Sequence, residues 1–452
     1  MRQHGGSSQR DHRYQQQRHE GYTALPASLS SFRPIFFNTR LTGDHYLSTI
    51  NGVVLCQSGA YAGRPLDLEE ALMKRTVIIF LALLALTGLL VTADTPPTIK
   101  VGGIFDLTGA TGDVGAPYSL GVRDYIDTMN ARGGVNGTRV ELIWTDYRYN
   151  VAQATEFYNS QLKNKVVAII GWGTGDTLAL APVVATDRIP FLSASYDESL
   201  TVTSRNPYNF VVGVTYSSQI RVILRHFAAA NGRGAKIAIF HHASAFGESP
   251  LADAEAEAAS LGLVIAEKIP MDASLDMTAK LRSLQAAGVK GVIIQNVAVP
   301  TLNLIRAYSA AGATMQLYGL NWTVNEDMIR LAGPALNGFI YAAATAFPDE
   351  NLPGLEEIRA ARNTPISRSM KYVQGWATAR VLFEGLRLAG PNPTGEQVKA
   401  ALERLNGFST GGIFDAVTFT PASHMGVHRL RLYQFQSAQN RFSPITDYLS
   451  GR

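Results

Sequence analysis

Hydrophobic residues in this chain recur with two spacings that alternate along most of its length. Short runs rich in Val, Ile and Phe, such as KVGGIF at 100–105, precede longer stretches in which apolar residues return every three or four positions, such as 119–134. The first pattern predicts buried strands and the second predicts amphipathic helices. Further strand-like runs lie at 140–146, 166–171 and 189–195. Strands and helices in this order form βαβ units around a parallel sheet.

A second set of the same units begins after an extended stretch at 209–216, with strands at 236–242, 263–270, 289–296 and 315–321. A single core stops growing near ~250–300 residues, and this chain has 452. The predicted fold class is therefore α/β, with two doubly wound Rossmann-like lobes joined by a hinge. The candidate hinge crossings are the extended stretches at 209–216 and 338–345. The predicted lobe 1 is 94–214 plus 343–415, and the predicted lobe 2 is 215–342 plus 416–452.

An export signal is predicted at 73–93. Met73 begins MKRTVIIFLALLALTGLLVTADT, in which a short basic start precedes a long apolar run and small residues. This order is typical of a signal peptide cleaved between Ala93 and Asp94, and it predicts a periplasmic or secreted protein. An uncleaved membrane anchor is the alternative, because the run borders on a short span. Residues 1–72 show no sustained period, so we interpret them as a non-native or disordered extension, with Met73 as the true initiator.

Composition narrows the function classes. Much of the formal net charge of +4 comes from the basic start of the signal segment, and the lobes carry no basic stripe. Nucleic-acid binding is therefore not expected, because it needs clustered Lys and Arg. The single cysteine, Cys56, precedes the lobes, which leaves them without a disulfide or a thiolate metal site.

Candidate catalytic residues are few, and no GxxxxGK phosphate-binding motif occurs. His424 and His428 are four positions apart in and before a predicted strand, too far apart to hold one metal ion. His241 and His242 end another predicted strand, so at most one of them faces a cleft. A secreted hydrolase would have to use one of these two with Asp197.

Four segments carry a resemblance to a known family: KVGGIFDLTGATGDVG, NARGGVNGTRVELIWTD, GWGTGDTLALAPVVATDRIPFLSASYDE and KIAIFHHASAFGES. In their order and spacing they resemble the branched-chain amino-acid type of periplasmic binding proteins, and the likeness extends over nearly the whole chain after 93. The resemblance implies the type I fold, in which two lobes close over a ligand. In open α/β sheets small ligands bind beyond the carboxyl ends of the strands, and a cleft between two lobes is able to close.

The first candidate loop follows the strand at 166–171 and contains Trp172, Gly173, Thr174 and Gly175. Glycines let backbone N–H groups approach a ligand, and the start of the next helix favours an anion. The resemblance implies that this loop holds the ligand's carboxylate, with Thr174 and Gly175 as the main contacts. The alternative is a tight turn with a helix-capping side chain.

The second candidate loop contains Ser195, Tyr196 and Asp197, after the strand at 189–195. The resemblance implies that backbone and hydroxyl oxygens here hold the ammonium group of an amino acid. Asp197 stands where the family pattern has a threonine. Its carboxylate either neutralises an amine or caps the next turn.

Lobe 2 contributes the remaining candidates. Phe246 stands where the family has an aromatic residue that packs on the ligand, and Val297 replaces another aromatic residue. Asn321 stands where amino-acid binders have an acidic residue that pairs with the ammonium. A neutral amide suits a ligand without an α-amine, such as an aromatic or aliphatic acid or an amide. Trp322 beside it either contacts the ligand or packs in the core.

These observations and the resemblance predict an extracytoplasmic solute-binding protein of an ABC importer, and not an enzyme. The expected ligand is a small carboxylate-bearing molecule, an amino acid or a related organic acid or amide, captured in the cleft between the lobes. The expected partners are this ligand and the permease subunits at the inner membrane. We expect a monomer with no cofactor and no metal. The alternatives are a ligand-sensing periplasmic receptor of the same fold and a secreted hydrolase.

Overall fold

The computed structural model describes residues 97–452 and, before them, only 45–50, 53–58, 72–73 and 76. The earlier pieces include an antiparallel hairpin of β1 (His45–Ile50) and β2 (Val53–Ser58). Asn51-Gly52 separates these two strands in the sequence, a dipeptide typical of hairpin connections. The sequence analysis did not expect this hairpin. The predicted signal peptide lies outside the described residues, apart from Met73 and Thr76.

The first sheet is built from residues 97–211 and consists of five parallel strands. Its strands are β3 (Thr98–Phe105), β4 (Arg139–Asp146), β5 (Ile169–Gly171), β6 (Phe191–Ser193) and β7 (Asn209–Val211). Its order is β4-β3-β5-β6-β7. The connecting helices are α1 (Gly112–Ala131), α2 (Val151–Lys163) and α3 (Thr174–Asp187). Every residue of β5 and β6 is buried, as expected for central strands that helices cover on both faces.

The second sheet has eight strands and lies among the helices of residues 216–343. Its first five strands are β8 (Lys236–His242), β9 (Val264–Met271), β10 (Val289–Gln295), β11 (Gln316–Gly319) and β12 (Ile340–Ala343). The helices are α4 (Tyr216–Asn231), α5 (Ala245–Glu248), α6 (Leu251–Leu261), α7 (Met277–Ala286), α8 (Ala298–Ala311) and α9 (Glu326–Ala332). These five strands pair in parallel, in the order β12-β11-β10-β8-β9.

The C-terminal strands complete the second sheet in antiparallel orientation. They are β13 (Arg429–Gln436), β14 (Arg441–Pro444) and β15 (Leu449–Ser450). β13 pairs with β12, and both β14 and β15 pair with β13. The alternating apolar residues of HRLRLYQFQ predict a strand at the site of β13, whereas no sequence pattern predicts the two short strands after it.

Three helices between the two parts of the second sheet return to the first sheet: α10 (Pro353–Ala361), α11 (Met370–Ala389) and α12 (Gly395–Leu402). α11 packs closely against α1. A Cβ on Gly121 would meet the carbonyl of Tyr372, and a Cβ on Gly375 would meet the carbonyl of Tyr118. Tyr372 also donates a hydrogen bond to Asp124 of α1 at 2.8 Å. These contacts place α11 in lobe 1.

The predicted fold class is confirmed, because two separate α/β sheets of mainly parallel strands are present. The chain passes between them after β7, after β12 and before β13. Residues 417–427 differ from the lobe 2 assignment, since Val211 of β7 bridges Met425 and Phe408 bridges Val417. The alternating apolar residues in this segment, Val417 and Phe419, are buried in lobe 1 but do not form a regular strand. Below, lobe 1 and lobe 2 denote the parts that carry the first and the second sheet.

Candidate functional site

A cavity lies between the lobes, and its walls come from both. It encloses about 240 Å³ of empty space, which includes its opening to solvent. The lobe 1 wall contains Thr111, Tyr149, Trp172, Gly173, Thr174 and Ala194, and the lobe 2 wall contains Tyr216, Phe246, Val297 and Trp322. These residues follow the carboxyl ends of strands, the position at which open α/β sheets bind ligands.

The loop after β5 supplies three of the lining residues. The apolar spacing of LALAPVVATD predicts a helix at 178–187. The observed helix α3 begins four residues earlier, with Gly173 as its N-cap and Thr174 as its first residue. The first N–H groups of a helix have no intrahelical acceptor and carry its positive dipole end. The hydroxyl of Thr174 lies 2.7 Å from that of Ser195, and both residues are buried. Gly175 lies in the first turn of the same helix.

The capping interpretation of this loop also applies, through Asp176. Its carboxylate accepts hydrogen bonds from the Gly173 N–H at 3.2 Å and from the Tyr147 hydroxyl at 2.8 Å. Burial raises the pKa of Asp176 to about 7, although these two hydrogen bonds act in the opposite direction. A Cβ on Gly173 would meet both the Asp176 carboxylate and the Tyr147 hydroxyl. Only glycine fits at position 173. The hydrogen bonds of Asp176 hold the loop in place, and Thr174 faces the cavity.

The loop after β6 has a different role for each of its predicted residues. Ser195 contacts Thr174, while its neighbour Ala194 lines the cavity. Tyr196 is fully buried, accepts a hydrogen bond from Gln374, and packs its ring 5.8 Å from that of Trp322. Tyr196 therefore supports the wall from behind.

Asp197 caps a turn and joins the lobes. It accepts hydrogen bonds from the Ser199 N–H at 2.8 Å and, across the lobe boundary, from the Ser249 hydroxyl at 2.7 Å. Of the two interpretations given from the sequence, the capping one describes these contacts.

Half of the residues that line the cavity are aromatic. The rings of Trp172 and Trp322 meet at 4.9 Å between centroids with an interplanar angle of 63°, an edge-on arrangement that aromatic pairs favour. Each indole N–H has an acceptor: Trp172 donates to Thr111 at 2.8 Å and Trp322 donates to Tyr216 at 2.9 Å. The ring of Phe246 lies 5.4 Å from that of Tyr216. The wall is thus fixed in place by hydrogen bonds as well as by packing.

Val297 and Asn321 hold different positions relative to this wall. Val297 is the N-cap of α8 and lines the cavity. Two residues later, the Val299 N–H donates to the Asp113 carboxylate of α1 at 2.8 Å, which joins the lobes. Asn321 is fully buried beside Trp322. Within residues 97–452, its side-chain amide has no hydrogen-bond partner.

Sequence reasoning missed Thr111, Tyr149, Ala194 and Tyr216. The first three lie in the segments that follow strands of the first sheet, so the strand-end rule applied to every strand would have indicated these segments. Tyr149 also has a positive φ of 57°, a backbone conformation that is uncommon outside glycine. Tyr216 opens α4, in a stretch that we assigned to the hinge.

The groups required by the hydrolase alternative are not brought together. His241 Nδ1 lies 3.0 Å from the carbonyl of His242, and His242 Nδ1 lies 2.8 Å from the Ser244 hydroxyl, whereas Asp197 is bound by two serines. His424 is held between the Asn209 carbonyl and Glu403. In the part of the chain that the structure describes, no three His, Cys, Asp or Glu side chains are arranged to hold a metal ion.

Among the described residues, no helix combines the length and apolar character needed to span a bilayer.

Known proteins share this architecture and sequence pattern. Residues 98–440 match the family model described as periplasmic binding protein. Leu/Ile/Val-binding protein homolog 2 of Brucella abortus (strain 2308) is 22% identical over 335 residues, which cover 74% of this chain and 89% of that protein. The leucine-, isoleucine-, valine-, threonine-, and alanine-binding protein of Pseudomonas aeruginosa is 22% identical over 332 residues, covering 73% and 88% of the two chains.

Solved structures of known proteins have a similar fold. The crystal structure of a branched chain amino acid ABC transporter from Thermus thermophilus with bound valine has a TM-score of 0.75 and 30% identity, covering 78% of this chain and 97% of that one. A fatty acid ABC transporter substrate-binding protein from Thermomonospora curvata has a TM-score of 0.69 at 21% identity, covering 78% and 92% of the two chains, a likeness of fold alone. The relatives named here are binding proteins and not enzymes. The family match spans both lobes, and the chain belongs to the periplasmic binding protein family.

Proposed function

We propose that this protein is the extracytoplasmic solute-binding component of an ABC importer and that it captures a small carboxylate-bearing ligand between its lobes. The observation that carries the proposal is the cavity shared by both lobes, with the Thr174 hydroxyl and the start of α3 in its wall. Backbone N–H groups at a helix start, together with hydroxyl donors, are suited to a carboxylate. The aromatic side chains around them suit an apolar ligand body.

Contacts between the lobes support capture by closure. Asp113 of lobe 1 binds the Val299 N–H of lobe 2, and Asp197 of lobe 1 binds the Ser249 hydroxyl of lobe 2. These polar contacts form only when the lobes are close. A ligand that contacts both walls stabilises the closed arrangement by its differential affinity for the two states.

The names of the relatives agree with import as the purpose of capture. The Brucella abortus protein is named for Leu, Ile and Val, and the Pseudomonas aeruginosa protein is named for these three and for threonine and alanine. The Thermus thermophilus structure is described as a branched chain amino acid ABC transporter with bound valine. We place this protein outside the cytoplasm, exported by the segment at 73–93. The permease subunits would contact the outer faces of both lobes beside the cleft mouth.

A thermal-shift screen over amino acids, aromatic acids, dicarboxylates, amides and sugars tests the proposal, because a ligand that binds the native state raises its stability by mass action. We expect the largest rise in Tm from a carboxylate, and we expect Thr174→Ala with Ser195→Ala to reduce it. Thr186→Ala is the matched control, since Thr186 is exposed at the far end of the same helix. Shifts from neutral sugars alone would contradict the proposal.

A further inference from the structure

Lys371, the second residue of α11, is fully buried at the junction of the two lobes. Its Nζ reaches from lobe 1 into lobe 2. There it donates a hydrogen bond to the backbone carbonyl of Asn321 at 2.5 Å and lies 3.3 Å from the Tyr341 hydroxyl. It also lies 5.1 Å from the centroid of the Trp322 ring, within the range of a cation–π contact. The cavity wall formed by Trp322 therefore has an amine directly behind it.

This amine has no counter-ion at contact distance. In the described part of the chain, no carboxylate lies within 4.0 Å of the Lys371 Nζ. Asp113 and Glu326 act on it from a distance, and each is already bound by a backbone N–H, of Val299 and of Met370 respectively. Burial lowers the pKa of Lys371 to about 7, although Glu326 and Asp113 act in the opposite direction. When this amine is protonated it makes its surroundings unfavourable for another cation, and when it is neutral it supplies no negative charge to balance one.

The cavity offers no compensation for a second cation. All ten residues that line it are uncharged. The carboxylates of the surrounding loops are already hydrogen-bonded: Asp106 by Gly109 and Thr111, Asp176 by Gly173 and Tyr147, and Asp197 by Ser199 and Ser249. An ammonium group bound here would lose water and would find no carboxylate among the lining residues to pair with directly. It would also either be repelled by Lys371 or force Lys371 to release its proton.

Asn321 is in the same region and adds a neutral polar group. Its backbone carbonyl accepts a hydrogen bond from Lys371. Its side-chain amide is buried and has no hydrogen-bond partner among residues 97–452. An amide offers hydrogen bonds to a ligand oxygen but no charge to balance an ammonium.

We infer that this cleft selects carboxylates that lack an α-ammonium group, with Lys371 as a specificity-determining residue behind Trp322. The ligand class is that of aliphatic or aromatic carboxylic acids. This inference rests on the proposed capture of a carboxylate. It adds that amino acids, the ligands after which the relatives are named, are the weaker binders here.

Two matched ligand pairs test the inference by calorimetry: 3-methylbutanoate against valine, and 3-phenylpropionate against phenylalanine. Each pair differs by the ammonium group alone. We expect the acid to bind at least about tenfold more tightly than its amino counterpart in at least one pair. Equal or tighter binding of the amino acids would overturn the inference and leave the proposed function intact. If no member of either pair bound while neutral sugars did, both the inference and the proposed function would be contradicted.

Variants separate the role of Lys371 from a structural one. Lys371→Met and Lys371→Gln remove the amine, and Lys371→Gln keeps a donor for the Asn321 carbonyl. In both, we expect the ratio of amino-acid Kd to acid Kd to fall about threefold or more. Lys163→Met, an exposed lysine at the end of α2 in the same lobe, should leave this ratio unchanged. A purely structural Lys371 would change both affinities together, and an unchanged ratio in both variants would overturn its assignment.

Discussion

The indole rings of Trp172 and Trp322 lie with their centroids 4.9 Å apart, although Trp172 follows a strand of the first sheet and Trp322 a strand of the second. This contact joins the lobes at the wall of the cavity. The site therefore depends on both lobes, and changes on either side of the boundary should affect ligand binding.

Thr174→Ala should weaken binding of a carboxylate about 10- to 100-fold, because a hydrogen bond to a charged group contributes about 1.5–3 kcal/mol. Ser195→Ala should weaken it less, since Ser195 positions the Thr174 hydroxyl from 2.7 Å away. Isothermal calorimetry on each variant, with Thr186→Ala as control, measures the effect. Unchanged affinity in Thr174→Ala would contradict binding of the carboxylate at the start of α3.

Trp322→Ala should lower the free energy of unfolding by about 3–5 kcal/mol, the usual cost of truncating a buried aromatic residue. Trp322→Phe keeps most of the packing and loses the hydrogen bond to Tyr216, so it should cost about 1 kcal/mol. Urea denaturation of the ligand-free protein measures both. Trp144→Ala is the control, since Trp144 is 40% exposed. A loss as large in the control as in Trp322→Ala would contradict a structural role for the aromatic wall.

Asp113→Ala should weaken ligand binding about 2- to 10-fold, because it removes the hydrogen bond to the Val299 N–H that joins the closed lobes. Stability without ligand should change little. Asp127→Ala, at an exposed position of the same helix, is the control for a change of charge on α1. Equal affinities of Asp113→Ala and Asp127→Ala would show that this contact does not assist closure.

The raised pKa of Asp176 should make the stability of the protein depend on pH. Burial raises its pKa from 3.8 to about 7 in the folded protein. Between these pH values the native state holds a proton that the unfolded state has released, so stability from this group falls as pH rises from about 4 to 7. The free energy of unfolding should therefore fall less between pH 5 and pH 8 in Asp176→Asn than in the wild type. Identical falls in both proteins, with Asp127→Asn as the surface control, would contradict this origin.

Much of the fold follows from local patterns. The strand at 236–242 is predicted at its observed bounds because its apolar run is bordered by polar residues and followed by a clear turn. α3 begins earlier than predicted because its N-cap, Gly173, has no capping side chain to identify it. Residues 417–427 have a strand-like alternation, yet their burial comes from the edge of the first sheet, a tertiary contact that local sequence does not reveal.

The residues of the candidate site also divide into those that local sequence predicts and those that depend on tertiary contacts. Trp172, Gly173, Thr174, Phe246, Val297 and Trp322 were predicted, and the structure places all six at the cavity. Whether they contact a ligand stays a prediction. Lys371 was not predicted, because a lysine in the first turn of a helix gives no local sign of burial. Its position depends on how the two lobes meet.

Closure of the lobes around a carboxylate should change a distance measured across the cleft. Spin labels at Ala152→Cys in lobe 1 and Ala256→Cys in lobe 2, both exposed, would be placed in a Cys56→Ser background. Addition of the best-binding carboxylate should shift the measured distances to a shorter and narrower distribution. Thr174→Ala with Ser195→Ala should prevent this shift at the same ligand concentration. A distribution that a tightly bound ligand leaves unchanged would contradict capture by lobe closure.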